Sequence, residues 1–271
     1  MESSPSSQYL SGLLMAAPLM RNGLQARAPG LVSRPYVDMT LALMRRYGAD
    51  VAEEGDGNLR VEPGAYTATD TVVEPDASTA SYVFAAAAVT GRTVTVPGLG
   101  TGSLQGDLRF VEILAKAGAE VRVDAAATTV TGTGRLRGGF AVDMGDISDT
   151  FMTLAAIAPL ADAPITIHGI GHARLKESDR IAAVAQNLRA CGIDTAQGAD
   201  WITVHPARLA PHASPVTAII ASRWPSRCSA SPCLARSPWM TRAVWRRRSR
   251  DSTTSCGGSS PGTNCLPVKM S

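Results

Sequence analysis

Apolar residues recur along this chain with two periods, and the switches between them mark out its elements. Ile181, Val184, Ala185 and Leu188 fall at i, i+3, i+4 and i+7, one face of a helix. Just before them, Ile165-Thr166-Ile167-His168 alternates with period two, as a half-buried strand does; Thr93-Val94-Thr95-Val96 and Ile202-Thr203-Val204 do the same. Further helical runs are predicted over residues 9–20, 37–47 and 83–89.

One pattern occurs three times. Leu43-Met44-Arg45-Arg46-Tyr47-Gly48-Ala49-Asp50-Val51, Leu114-Ala115-Lys116-Ala117-Gly118-Ala119-Glu120-Val121 and Leu188-Arg189-Ala190-Cys191-Gly192-Ile193-Asp194-Thr195 each end a helix at a glycine suited to the left-handed conformation and then turn into a strand. Three similar units of roughly seventy residues follow. The pattern predicts an α/β fold of repeated units. A doubly wound nucleotide fold is not indicated, because neither a glycine-rich dinucleotide fingerprint nor a P-loop is present.

The densest chemistry lies where the third unit passes from strand to helix. Arg174, Lys176, Glu177, Asp179 and Arg180 crowd into seven residues there. Such a cluster is either a solvated face or an anion site. A helix N-terminus offers free N–H groups and a positive dipole end, and Lys176 and Arg180, four apart, would share one side. Other helix starts also carry polar groups. Ser6, Ser7 and Gln8 precede the first helix, Ser33 and Tyr36 flank the start of the second, and Asp76 and Ser78 precede the third. The first set either caps its helix or holds a phosphate or hydroxyl, the second again puts hydroxyls at a helix entry, and Asp76 and Ser78 read as capping chemistry. Glu74-Pro75 reads as a rigid junction. Asp149, at the mouth of an Ala-rich helix, is either a cap or a base facing the charged cluster.

Charge divides the chain. Up to residue 211 there are 17 Lys and Arg against 22 Asp and Glu; beyond it there are nine against one, so a body of −5 is joined to a tail of +8. Cys228, Cys233, Cys256 and Cys265 and three of the four tryptophans also lie in the tail. At 271 residues, 45% of them hydrophobic, the chain can bury a sizeable core in one or two domains. No apolar run approaches eighteen residues, and the start lacks a basic signal-peptide region, so a cytoplasmic location is expected.

Six motifs in order resemble the EPSP synthase (3-phosphoshikimate 1-carboxyvinyltransferase) family: Ser-Ser-Gln-Tyr-Leu-Ser (6–11), Ser-Arg-Pro-Tyr-Val-Asp (33–38), Glu-Pro-Asp-Ala-Ser-Thr-Ala-Ser-Tyr (74–82), Gln-Gly-Asp (105–107), Ser-Asp-Thr-Phe-Met-Thr (148–153) and Leu-Lys-Glu-Ser-Asp-Arg-Ile (175–181). The resemblance implies an enolpyruvyl transferase fold of βαβαββ units, an inside-out α/β barrel that is incomplete here. It places the last unit of a first domain at 1–72 and two units of a second at 73–211.

It also implies transfer of the enolpyruvyl group of phosphoenolpyruvate to the 5-hydroxyl of shikimate 3-phosphate, with no metal or organic cofactor. Ser6, Ser7, Gln8, Ser33 and Tyr36 would surround the shikimate 3-phosphate. Asp149 would take the hydroxyl proton beside Lys176, Glu177 would protonate the methylene carbon, and Arg180 would clamp phosphoenolpyruvate. His172 stands where the family often has asparagine, and its role is open. Family members are typically monomeric, with no membrane or nucleic-acid partner. UDP-N-acetylglucosamine enolpyruvyl transferase shares fold and donor, but the Lys-Glu-Ser-Asp-Arg run argues against it.

The resemblance spans residues 3–205, about the second half of a family member. The family's Lys-Ser-x-x-x-Arg, Asn-x-Gly-Thr and Arg-x-Arg-Pro motifs are missing, so the chain alone is expected to be inactive, a fragment with partial ligand binding. Shifted by one base, the codons of residues 218–225 permit Asp-His-Arg-Ile-Ala-Met-Ala, and those of 238–250 permit Val-Asp-Asp-Pro-Gly-Cys-Val-Ala-Lys-Thr-Phe-Pro, both family motifs. Residues 212–271 are therefore expected to be an out-of-frame, disordered tail. A nucleic-acid role for Trp245-Arg246-Arg247-Arg248 then falls away.

Overall fold

Helix, strand, helix and β-hairpin follow one another three times. A computed structural model of the chain describes residues 7–31, 33–207 and 269–270. Unit one runs α1 (Ser7–Ala16), β1 (Leu24–Arg27), α2 (Arg34–Arg46), β2 (Val51–Glu53) and β3 (Asn58–Val61). Unit two runs α3 (Ala77–Thr90), β4 (Thr93–Pro97), α4 (Phe110–Lys116), β5 (Glu120–Val123) and β6 (Ala127–Thr131). Unit three prefixes a strand: β7 (Phe140–Asp143), α5 (Phe151–Ile157), β8 (Ile165–His168), α6 (Arg180–Ala190), β9 (Thr195–Gln197) and β10 (Ile202–Val204). It is the complete βαβαββ unit.

Each unit has its own sheet, and no closed barrel forms among the described residues. The strand orders are β1-β3-β2, β11-β4-β6-β5 and β7-β8-β10-β9, where β11 is Lys269–Met270. All pairings are antiparallel except β7 with β8, which α5 connects. Beside β4, where unit three has the parallel β7, unit two has the antiparallel β11. Apart from β11, the tail over 212–271 lies outside the described residues.

The period-two runs work as alternation requires. Val94 and Val96 of β4 point into the core, while Thr93 and Thr95 bond to Thr131 and Thr129 of β6 on the other face at 3.0 and 2.9 Å. Gly48, Gly118 and Gly192 have φ of 84°, 100° and 78°, the left-handed geometry that lets helix turn into strand at each repeat. Helix lengths differ from the sequence pattern at their ends. α1 stops at Ala16 because Pro18 tightens the next turn into a 3-10 segment, Ala17–Leu19. α3 begins six residues before the predicted run, since Asp76 caps it by accepting from the Ser78 N–H at 3.0 Å.

Buried apolar residues form two clusters. One, from Leu10 to Val61, joins α1, α2 and the unit-one sheet; the other, from Ala77 to Val204, is shared by units two and three. The segment between them is anchored by Glu74, which accepts from Ser103 Oγ at 2.6 Å, Gln105 Nε2 at 3.0 Å and the Leu104 N–H at 3.2 Å.

Candidate active site

Three segments from units one and three, with Asp107 and Ser78 from unit two, meet around Asp149. In unit one, Ser33 has φ 56°, ψ 48° immediately before α2, and Pro35 presets the first turn. Ser33 is buried at 4% exposure. Its hydroxyl crosses to unit three, donating to the Gly145 carbonyl at 3.0 Å and lying 3.2 Å from His172 Nε2. Tyr36, one turn on, donates from its phenol to Asp107 Oδ1 at 2.8 Å. Asp107, 3% exposed, also accepts from Ser78 Oγ.

In unit three, Asp149 sits in the turn before α5 but does not cap it. Thr150 holds the N-cap position without a side-chain cap, and its hydroxyl donates back to the Ile147 carbonyl at 2.8 Å. The Asp149 carboxylate is instead drawn to Arg180, whose Nη1 donates to Oδ1 at 2.8 Å. From its other side Arg180 holds Glu177 Oε1 through Nη2 at 2.8 Å and Nε at 3.2 Å.

One expectation about the charged cluster is corrected. Lys176 and Arg180 do not share a helix face, because α6 begins only at Arg180 and Lys176 is extended (φ −74°, ψ −163°). Asp179 caps the α6 N-terminus, accepting from the Ala182 N–H at 2.9 Å. Arg174 belongs to this scaffold. It bonds Asp179 at 2.6 Å and the Ala199 carbonyl at 2.9 Å, tying the charged turn to the β9–β10 loop. That leaves Lys176, half-buried and with no ion pair among the described residues, as the cation available to an anionic ligand.

The groups feel one another. Burial first, then the charges of Asp107 and Asp149, push the Tyr36 phenol well up, so Tyr36 stays a neutral donor beside both carboxylates. Asp107 is raised, chiefly by burial, although Ser78 and Tyr36 oppose this. Glu177 is held below its ordinary 4.5, first by its own backbone N–H and, against burial, by Arg180 and Lys176. Burial lowers His172, Lys176 and Arg180 add to the effect, and Asp149 opposes it.

Among the residues expected at the site, the structure therefore brings Ser33, Tyr36, Asp149, Glu177, Lys176 and Arg180 into one neighbourhood. Ser7 is buried at the start of α1 and Gln8 is exposed beside it; Ser6 lies outside the described residues. Asp107, Ser78 and His172 carry contacts that the sequence did not assign. Asp107 stood in a motif without a role, and Ser78 looked like capping chemistry. The buried hydroxyls of Ser148 and Ser178, neighbours in sequence of Asp149 and Glu177, have no partner among the described residues. No group of three or more His, Cys, Asp or Glu among the described residues is placed to hold a metal ion.

Solved structures share this architecture. An EPSP synthase from Acinetobacter baumannii matches with a TM-score of 0.58 at 26% identity, over 74% of this chain and 46% of that one. The enolpyruvyl transferase NikO from Streptomyces tendae matches in fold, with a TM-score of 0.55 at 20% identity over 78% and 50%. The fold is that of the enolpyruvyl transferases.

The family model for EPSP synthase (3-phosphoshikimate 1-carboxyvinyltransferase) matches residues 1–223, and the chain belongs to that family. A 3-phosphoshikimate 1-carboxyvinyltransferase from Nostoc punctiforme is 42% identical over 213 residues, 78% of this chain and 50% of the relative. A chloroplastic one from Solanum lycopersicum is 42% identical over 75% and 41%. The chain spans about half the length of such relatives.

Proposed function

We propose that the site serves its family's reaction, enolpyruvyl transfer from phosphoenolpyruvate to the 5-hydroxyl of shikimate 3-phosphate. The observation that carries this is the Asp149–Arg180–Glu177 arrangement beside Lys176, which has no ion pair among the described residues. Such chemistry needs a base, an acid and cations among crowded anions. Asp149 takes the proton of the attacking hydroxyl, and Lys176 stabilises the charge that develops next to it. Glu177 delivers a proton to the methylene carbon, and the hydroxyl oxygen bonds to the adjacent carbon, giving a tetrahedral ketal. Loss of phosphate from that carbon and return of the methyl proton leave the enol ether. Ser6, Ser7, Gln8, Ser33 and Tyr36 bind the acceptor. Arg180 helps hold the Glu177 carboxyl below its ordinary 4.5, so the acid role of Glu177 is served when Arg180 turns to phosphoenolpyruvate and that stabilisation of the carboxylate is removed.

The domain division follows the same reading: 1–72 in the first domain, 73–211 in the second, with 212–271 read out of frame. The two separate buried clusters support the first boundary. Among the described residues no helix is long and apolar enough to cross a membrane. A monomer acting in the cytoplasm completes the proposal.

Phosphate release from phosphoenolpyruvate that depends on shikimate 3-phosphate, assayed on the full-length protein with its reading frame restored, tests it, and the 271-residue chain alone should release none. Release abolished by Asp149→Ala supports the transferase reading. Calorimetric binding of shikimate 3-phosphate without release identifies a binding chain instead, and neither binding nor release refutes both. Resequencing codons 205–218 should reveal a single-base shift.

A further inference from the structure

Ser33 makes two hydrogen bonds across the gap between units one and three, and a hydroxyl has one proton. The Gly145 carbonyl can only accept, so the Ser33 proton lies on that bond. The contact with His172 Nε2 at 3.2 Å must then run the other way. The His172 ring carries its proton on Nε2 and donates to Ser33 Oγ. Ser33 is one of two non-glycine residues with positive φ among the described residues, a conformation that needs support from its surroundings.

We infer that His172 is a positioning residue, whose Nε2–H pins Ser33 of the first unit against Gly145 of the third and so sets where the start of α2 stands beside the Asp149 cluster. The role of Ser33 toward shikimate 3-phosphate rests on the proposed function; the link itself does not. The charged groups acting on the ring are Lys176 and Arg180 on one side of the balance and Asp149 on the other. Because Nε2 bears a proton in both the neutral and the charged ring, the link survives protonation.

Long-range proton–nitrogen correlation spectra of the histidine rings in the ¹⁵N-labelled 271-residue chain read the tautomer directly. The expected result is the Nε2–H form for His172 at neutral pH, with that preference lost in Ser33→Gly, which removes the hydroxyl and suits the positive φ. An Nδ1–H ring in the wild-type chain, or an unchanged ring in Ser33→Gly, overturns the inference.

Calorimetric titration with shikimate 3-phosphate reads the consequence. His172→Leu should bind about fivefold to tenfold more weakly, the share of one hydrogen bond, while His172→Gln, which keeps a donor, stays within about twofold of wild type. Equal affinities for the Leu and Gln variants overturn the positioning role. If the wild-type chain does not bind shikimate 3-phosphate, the proposed function fails, and the ring spectra still decide the link.

Discussion

Arg180 Nη1 donates to Asp149 Oδ1 at 2.8 Å, and the same guanidinium holds Glu177, so one arginine stands between the proposed base and the proposed acid. Arg180 is only 18% exposed in its side chain, and Asp149 33%. At that depth, removing the cation leaves two carboxylates without their shared partner. Arg180→Ala is expected to lower stability by about 1.5–3 kcal/mol, the range for hydrogen bonds to charged groups, as measured by urea unfolding. It should also let the Glu177 carboxyl rise toward 4.5, followed by carbon NMR titration. Unchanged stability together with an unmoved Glu177 would show that the pairing is incidental.

Asp149 separates charge from shape. Asparagine keeps an oxygen for Arg180 but has no basicity, so Asp149→Asn should fold as wild type and bind shikimate 3-phosphate within about twofold. In a full-length protein with its reading frame restored, phosphate release should fall by roughly 10²–10⁴, the usual contribution of general acid–base catalysis. Release at the wild-type rate would remove Asp149 from proton transfer.

The parts of this fold that were legible are those fixed by neighbours in sequence. Gly48, Gly118 and Gly192 announce helix ends because the left-handed turn they allow is a local event, and β8 and β10 fall on their alternating runs because alternation is itself the strand geometry. The site was legible as residue types but not as pairings. Asp149 looked like a cap because its helix is near, yet its partner lies 31 residues away; Ser78 looked like a cap, yet its hydroxyl reaches Asp107, 29 residues on. Nor could a charge count show that Asp179 caps the helix end, or that Arg174 and Arg180 are paired while Lys176 has no ion pair among the described residues.

Tyr36 and Asp107 tie unit one to unit two through a buried carboxylate. Tyr36→Phe removes one of its two donors and should destabilise by about 1–3 kcal/mol at pH 7. Asp107 titrates above its ordinary 3.8 in the fold, so its contribution is fully present below 3.8 and is lost as pH rises through the folded value. Losing the phenol raises that value further. The destabilisation should therefore be larger at pH 7 than near pH 4, which chemical denaturation at the two pH values measures. An equal loss at both would mean that the contribution of the phenol does not depend on the ionisation of Asp107.

His172 gives the opposite sign. Burial, then Lys176, lower its ring below the ordinary 6.5, with Arg180 acting in the same sense and Asp149 opposing. Below 6.5 the unfolded chain takes up a proton that the folded ring resists, so the stability present above 6.5 is lost as pH falls toward the folded value. His172→Gln cannot take up that proton and keeps a donor for Ser33. Its stability should track wild type at pH 7.5 and fall less steeply between pH 6.5 and 5, with carboxylates common to both chains cancelling in the difference. Parallel pH–stability curves for the two proteins would show that the ring protonates as freely in the fold as in the unfolded chain.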